Sequence, residues 1–125
     1  MKVSLNFLHQ QSNTWLRELK FYKEEISLLG ERLGEVAQRN TDKEVMAQVE
    51  HFQNKLIMLN EQCDVVKHGV NLRNEAVMAK AKEKPEHLNE KSQTVVDELQ
   101  SQMMDFTKSI ADTRLEFNQF LSKVL

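Results

Sequence analysis

An alternating step of four and three residues runs through nearly the whole chain. Leu8, Ser12, Trp15, Leu19, Tyr22, Ile26, Leu29, Leu33 and Val36 follow it in the first forty residues. Val45, Val49, Phe52, Leu56, Leu59, Cys63, Val66, Val70, Arg73 and Val77 follow it in the next stretch. An α-helix turns once in about 3.6 residues, so a mean step of about 3.5 holds all these positions on one face. A chain written in this way is set up for long helices packed side by side.

Two punctuation points divide it. Asn40-Thr41-Asp42-Lys43-Glu44 reads as a stop and a restart, with Thr41 and Glu44 at capping-box spacing. Pro85 ends the second segment, because proline disfavours helical geometry at the residue before it and suits the first turn of a new helix. A third seam then runs through Leu88, Ser92, Val95, Leu99, Met103, Phe106, Ile110, Thr113, Phe117, Phe120 and Val124. Its two successive steps of four, from Val95 to Met103, are a stutter that locally unwinds a supercoil without breaking it. Helices are expected over about 4–39, 42–83 and 85–124, within a single domain spanning 1–125. With only three Gly and one Pro, little of the chain is left for strands or hairpins. Short polar connections make sequential helices antiparallel. The expected fold is therefore all-α: an antiparallel up-down-up three-helix bundle of long helices with coiled-coil packing and no β-sheet.

A second apolar stripe bears on where the third helix goes. With Val49 as heptad position a, Met58, Val65, Leu72 and Ala79 fall on c, as do Phe7, Phe21 and Leu28 on the first helix. In an antiparallel pair, the g positions of both helices share one side and c lies beyond them. The flank lined by Phe21, Leu28, Met58 and Val65 is expected to be covered, by the third helix or by a partner surface.

Composition excludes several function classes. The net charge is −2, and no segment carries a basic stripe, so nucleic-acid binding has no electrostatic drive. Lys80, Lys82 and Lys84 cluster at an expected helix end, where cations complement the dipole. No stretch approaches the roughly 20 apolar residues of a membrane span, and the first residues lack a signal-peptide pattern, so no membrane association and a cytoplasmic location are expected. The one cysteine, Cys63, sits on the seam and reads as a small core hydrophobe. His9, His51, His68 and His87 never stand three or four apart, so no helical pair of them shares a metal. No metal and no cofactor are expected. There is no nucleophile elbow, phosphate loop or dinucleotide fingerprint, and no catalytic residue is assigned. Glu24-Glu25 and Asp97-Glu98 are adjacent on helices and point apart. Gly30 and Gly34 form a GxxxG spacing that has force in lipid rather than in an amphipathic helix.

One constellation carries chemistry. Ser12, Arg73 and Ser92 are polar residues on three seams, and counting from the two connections brings them near one level. Trp15 and His9 flank that level, with Gly69 and Ala76 leaving room beside Trp15. One reading is a polar pocket in which Arg73 binds a carboxylate or phosphate. The other is a guanidinium snorkelling outward over Trp15, with the polar level setting helix register.

Trp15 in the first helix, with the seam through Leu19 and Tyr22, resembles the spectrin-repeat architecture, although the segments here are longer than that repeat. The resemblance implies an arrangement of three helices, not an activity. The expected function is a non-enzymatic interaction or scaffold module, acting on a protein partner or on itself as a homodimer. The alternatives are a small-anion or ligand-binding bundle using the Arg73 level, and a degenerate relative of metal-binding bundles that has lost its ligands.

Overall fold

The computed structural model describes residues 3–83, 91–92 and 94–125, without the side chains of residues 3 and 91–97. Pro85, His87 and Leu88, and with them the expected start of the third helix, lie outside the described residues. The fold is all-helical, with three helices that pack on one another. These are α1 (Leu5–Arg39), α2 (Lys43–Glu83) and α3 (Thr94–Val124). Two short extended pieces accompany them, β1 (Val3–Ser4) and β2 (Lys91–Ser92).

Three helix ends have a local cause. Ser4 caps α1, its hydroxyl accepting the Phe7 N–H at 3.1 Å. At the other end Asn40 donates its side-chain amide to the Val36 carbonyl at 2.9 Å, satisfying a group the helix leaves open. At the start of α2 the cap is Asp42 rather than Thr41. Its carboxylate accepts the N–H groups of Glu44 and Val45 at 2.7 and 3.3 Å. An ionised oxygen at the positive helix end is the stronger acceptor, which decides between the two neighbours.

The N-terminal part of the third segment departs from expectation. Residues 91–92 are extended and pair antiparallel with β1, Val3 opposite Ser92 and Ser4 opposite Lys91, a two-residue sheet pairing that corrects the expectation of none. α3 then begins at Thr94. The seam through Ser92 assumed helical phase where the backbone is extended. The run Thr94-Val95-Val96 is β-branched and a poor continuation of any helix arriving from upstream.

The seams are the buried stripe. On α2, Val49, Phe52, Leu56, Leu59, Cys63, Val66, Val70, Arg73 and Val77 are all buried. On α3 the stutter does not interrupt the core, since Leu99 and Met103 are both buried. Tyr22 meets Phe106 edge-on at 5.7 Å, and Phe52 packs against Phe117 and Phe120 at 5.3 and 5.2 Å. Burying each such aromatic stabilises the fold by about 2–3 kcal/mol. Leu5, Leu8 and Val77 form a second, smaller cluster, apart from the main core.

α3 lies against the side of the α1–α2 pair that carries the g positions. Arg114 holds Glu25, Glu116 meets Lys55, and Leu99 sits over Gly69. It reaches no further. Phe21, Leu28, Met58 and Val65 remain 61, 60, 67 and 65% exposed, so the expectation that α3 covers them is corrected. One helix, about 10 Å across, fills the groove over the seam-adjacent positions and leaves the stripes beyond it open.

Candidate functional site

α1 and α2 bring Ser12 and Arg73 face to face because both stand on seam positions. Ser12 is fully buried and Arg73 is 5% exposed. The Arg73 Nη2 donates to Ser12 Oγ at 2.8 Å and to the Leu8 carbonyl at 3.4 Å, and Nε donates to Ser12 Oγ at 3.3 Å. The guanidinium carbon lies 5.0 Å from the centre of the Trp15 ring, in cation–π range. Arg73 therefore does stack on Trp15, but it does not snorkel outward. It is anchored inside by a hydroxyl and a carbonyl. Burial lowers the Arg73 pKa from the ordinary arginine range, and the group remains a cation at neutral pH.

Nη1 is buried and has no hydrogen-bond partner among the described residues. Nor does any described carboxylate pair with Arg73. This is a costly arrangement, because a desolvated charge with unmade bonds loses several kcal/mol relative to water.

The other residues expected at this level divide. Trp15 is there. His9 is near in sequence but belongs to a separate network, its Nδ1 2.8 Å from Asn74 Oδ1 and its Nε2 3.4 Å from Asn13 Nδ2. The Ser92 hydroxyl lies outside the described residues, but its backbone pairs with Val3. About 10 Å of helix separates Leu5, just after β1, from Ser12. Ser92 is thus not at the Ser12 level, for the reason given by the extended phase of β2. Gly69 faces Leu99 of α3, which a Cβ would approach to 2.9 Å, and Ala76 is exposed, so neither makes room for Trp15. At the Arg73 level sequence reasoning missed the Leu8 carbonyl, and in the His9 network it missed Asn13 and Asn74. Asn74 directly follows Arg73 and Asn13 directly follows Ser12, and that adjacency is the signal that marks them.

Grooves also run along the helix interfaces. A groove of ≈ 640 Å³ between the start of α2 and the end of α3 has Phe52 and Phe120 in its lining, with Glu44, His51, Glu116 and Lys123. It contains no member of the Arg73 level. A second groove, ≈ 490 Å³, runs between α1 and α3 past Gln11, Trp15, Met103, Met104 and Lys108. Cys63 is buried, its thiol directed at the Leu19 carbonyl at 3.6 Å, and burial pushes its pKa up, away from the reactive thiolate. Among the described residues no three His, Cys, Asp or Glu side chains are placed to hold a metal ion. No described helix is long and apolar enough to cross a membrane.

No family model, no curated protein and no solved structure matches the chain.

Proposed function

We propose that this chain is a non-enzymatic helical interaction module of the cytoplasm. In this reading it is an antiparallel up-down-up bundle with heptad packing that binds a protein partner, or a second copy of itself, through its helix faces. The order of contacts supports the antiparallel path. From Ser12 to Lys23 along α1, the partners on α2 step back from Arg73 to Asp64. From Phe52 to Gly69 along α2, the partners on α3 step back from Phe117 to Leu99. The burial of a and d positions supports heptad packing.

One observation carries the functional reading: large apolar side chains repeat at heptad spacing on exposed faces. Phe21 and Leu28 do so on α1, and Met58, Val65 and Leu72 on α2, all more than half exposed. A stripe of this kind is the form in which one helix receives another. The near-neutral net charge and absence of a basic stripe favour a protein partner over a nucleic acid. Light scattering across a concentration series tests it. The parent should gain mass with concentration, or bind a partner, and the variant carrying Phe21→Glu, Leu28→Glu, Met58→Glu and Val65→Glu should do neither. Identical behaviour of parent and variant in both assays would remove the reading.

A further inference from the structure

We propose that the Arg73 level is a receptor for one small oxyanion, a carboxylate or phosphate group, held by Nη1 of the buried guanidinium. The donor inventory leads there. A guanidinium has five N–H groups. Nε and Nη2 spend theirs on Ser12 Oγ and the Leu8 carbonyl. The two on Nη1 have no acceptor among the described residues, in a side chain only 5% exposed. The Trp15 ring covers the guanidinium face and leaves the in-plane N–H groups unsatisfied. Buried donors on a full positive charge call for an acceptor that is itself charged, such as an oxyanion oxygen on an Nη1 proton. Ser12 holds the fork in place before the anion arrives, so binding costs little ordering.

Access follows from the way the core is divided. Leu5, Leu8 and Val77, on the side of Arg73 where α1 begins, form a cluster separate from the main core. That end can open locally while the larger core stays closed. The opening admits a small anion and closes over it, which limits the ligand to one oxyanion group rather than a large molecule.

The test uses the intact chain, with sodium formate and sodium phosphate each titrated against sodium chloride at equal ionic strength. Trp15 is the only tryptophan, so its emission reports on the site. The expected result is a saturable emission change with formate, phosphate or both, and a rise in Tm of about 3–5 °C at tenfold excess over Kd. The better of the two identifies carboxylate or phosphate as the natural chemistry. Arg73→Met should lose both responses. If that variant does not fold, the 15N signals of the Arg73 guanidinium in the parent decide, since they must move with the oxyanion and not with chloride. Equal responses to chloride and oxyanions would overturn the site, as would an unchanged response in Arg73→Met. So would an Arg73 15N shift on Asp97→Asn without added anion, because the counter-ion would then be the chain's own carboxylate.

Discussion

At Ser12 and Arg73 two polar side chains stand where a heptad seam ordinarily carries apolar ones, and their meeting followed from phase alone. Both lie on seams of sequential helices, so counting outward from the connection brought them opposite each other. Ser92 did not join them, because its position was counted on a helical phase that the backbone at 91–92 does not have. The pair has a measurable consequence in chloride buffer. Ser12→Ala removes the acceptor of two Arg73 bonds and leaves the cation with the Leu8 carbonyl alone, so urea unfolding should show a loss of about 2–3 kcal/mol. Ser12→Val with Arg73→Leu removes both polar partners together, and stability should return to the parent's level or rise by about 1–3 kcal/mol. A Ser12→Ala variant as stable as the parent would show that the bonds to Ser12 carry no net stability. Cys63 links stability to pH. Its thiol pKa is raised in the folded chain, chiefly by burial, so the folded state prefers the protonated form. The stability this contributes is present below the ordinary thiol pKa and is lost as pH rises through the raised one. Relative to Cys63→Ala, the parent should therefore lose stability as pH climbs above about 8.5. A parent-minus-variant difference that stays flat with pH would contradict this.

Helix extents depended on different physics from the seams, and they were less legible. The stop at Asn40 matches the C-terminal end of α1 at Arg39, and α2 is described as far as Glu83. The starts depend on caps, and adjacent candidates compete. Thr41 and Asp42 both offered an oxygen, and the carboxylate won. Asp42→Ala should cost about 1 kcal/mol of stability, and Thr41→Ala almost nothing, in matched thermal unfolding. The reverse ranking would restore Thr41 as the cap. The start of α3 turns on a pairing between β1 and β2 that joins residues nearly ninety positions apart, and no local pattern announces such a contact. Gly69 links the elements. A Cβ there would meet Leu99 Cδ2 at 2.9 Å, so the end of the Leu99 side chain must shift to admit one. Gly69→Ala gains helix propensity of about 1 kcal/mol on α2 and sets it against displacement of Leu99. Paired with Leu99→Ala the clash disappears, so the Gly69→Ala effect on Tm should be more favourable in that background than in the parent. Equal effects in both backgrounds would mean that Gly69 and Leu99 do not touch.

For the molecule as a whole, the side on which α3 packs was readable and the extent of its cover was not. Heptad geometry placed the g positions of α1 and α2 on one side, and α3 lies there, over Glu25, Lys55 and Gly69. The inference that it would also bury Phe21, Leu28, Met58 and Val65 failed on the width of a single helix. Those four side chains now separate two ideas about the stripes. If a stripe is simply exposed surface, glutamates there change neither stability nor association. If it is a docking face, they leave the fold intact and abolish association. Because α3 runs between the two stripes, Phe21→Glu with Leu28→Glu tests one face, and Met58→Glu with Val65→Glu tests the other. Both pairs should keep Tm within a few degrees of the parent, since side chains about 60% exposed contribute little burial to the monomer. One pair, and not the other, should abolish the concentration-dependent gain in mass, because a helix docked on one side of α3 has no contact with the opposite stripe. Loss of mass gain with both pairs would mean that the partner wraps across α3. A large drop in Tm with either pair would mean that the stripe is covered within a single chain, which its exposure in this fold excludes.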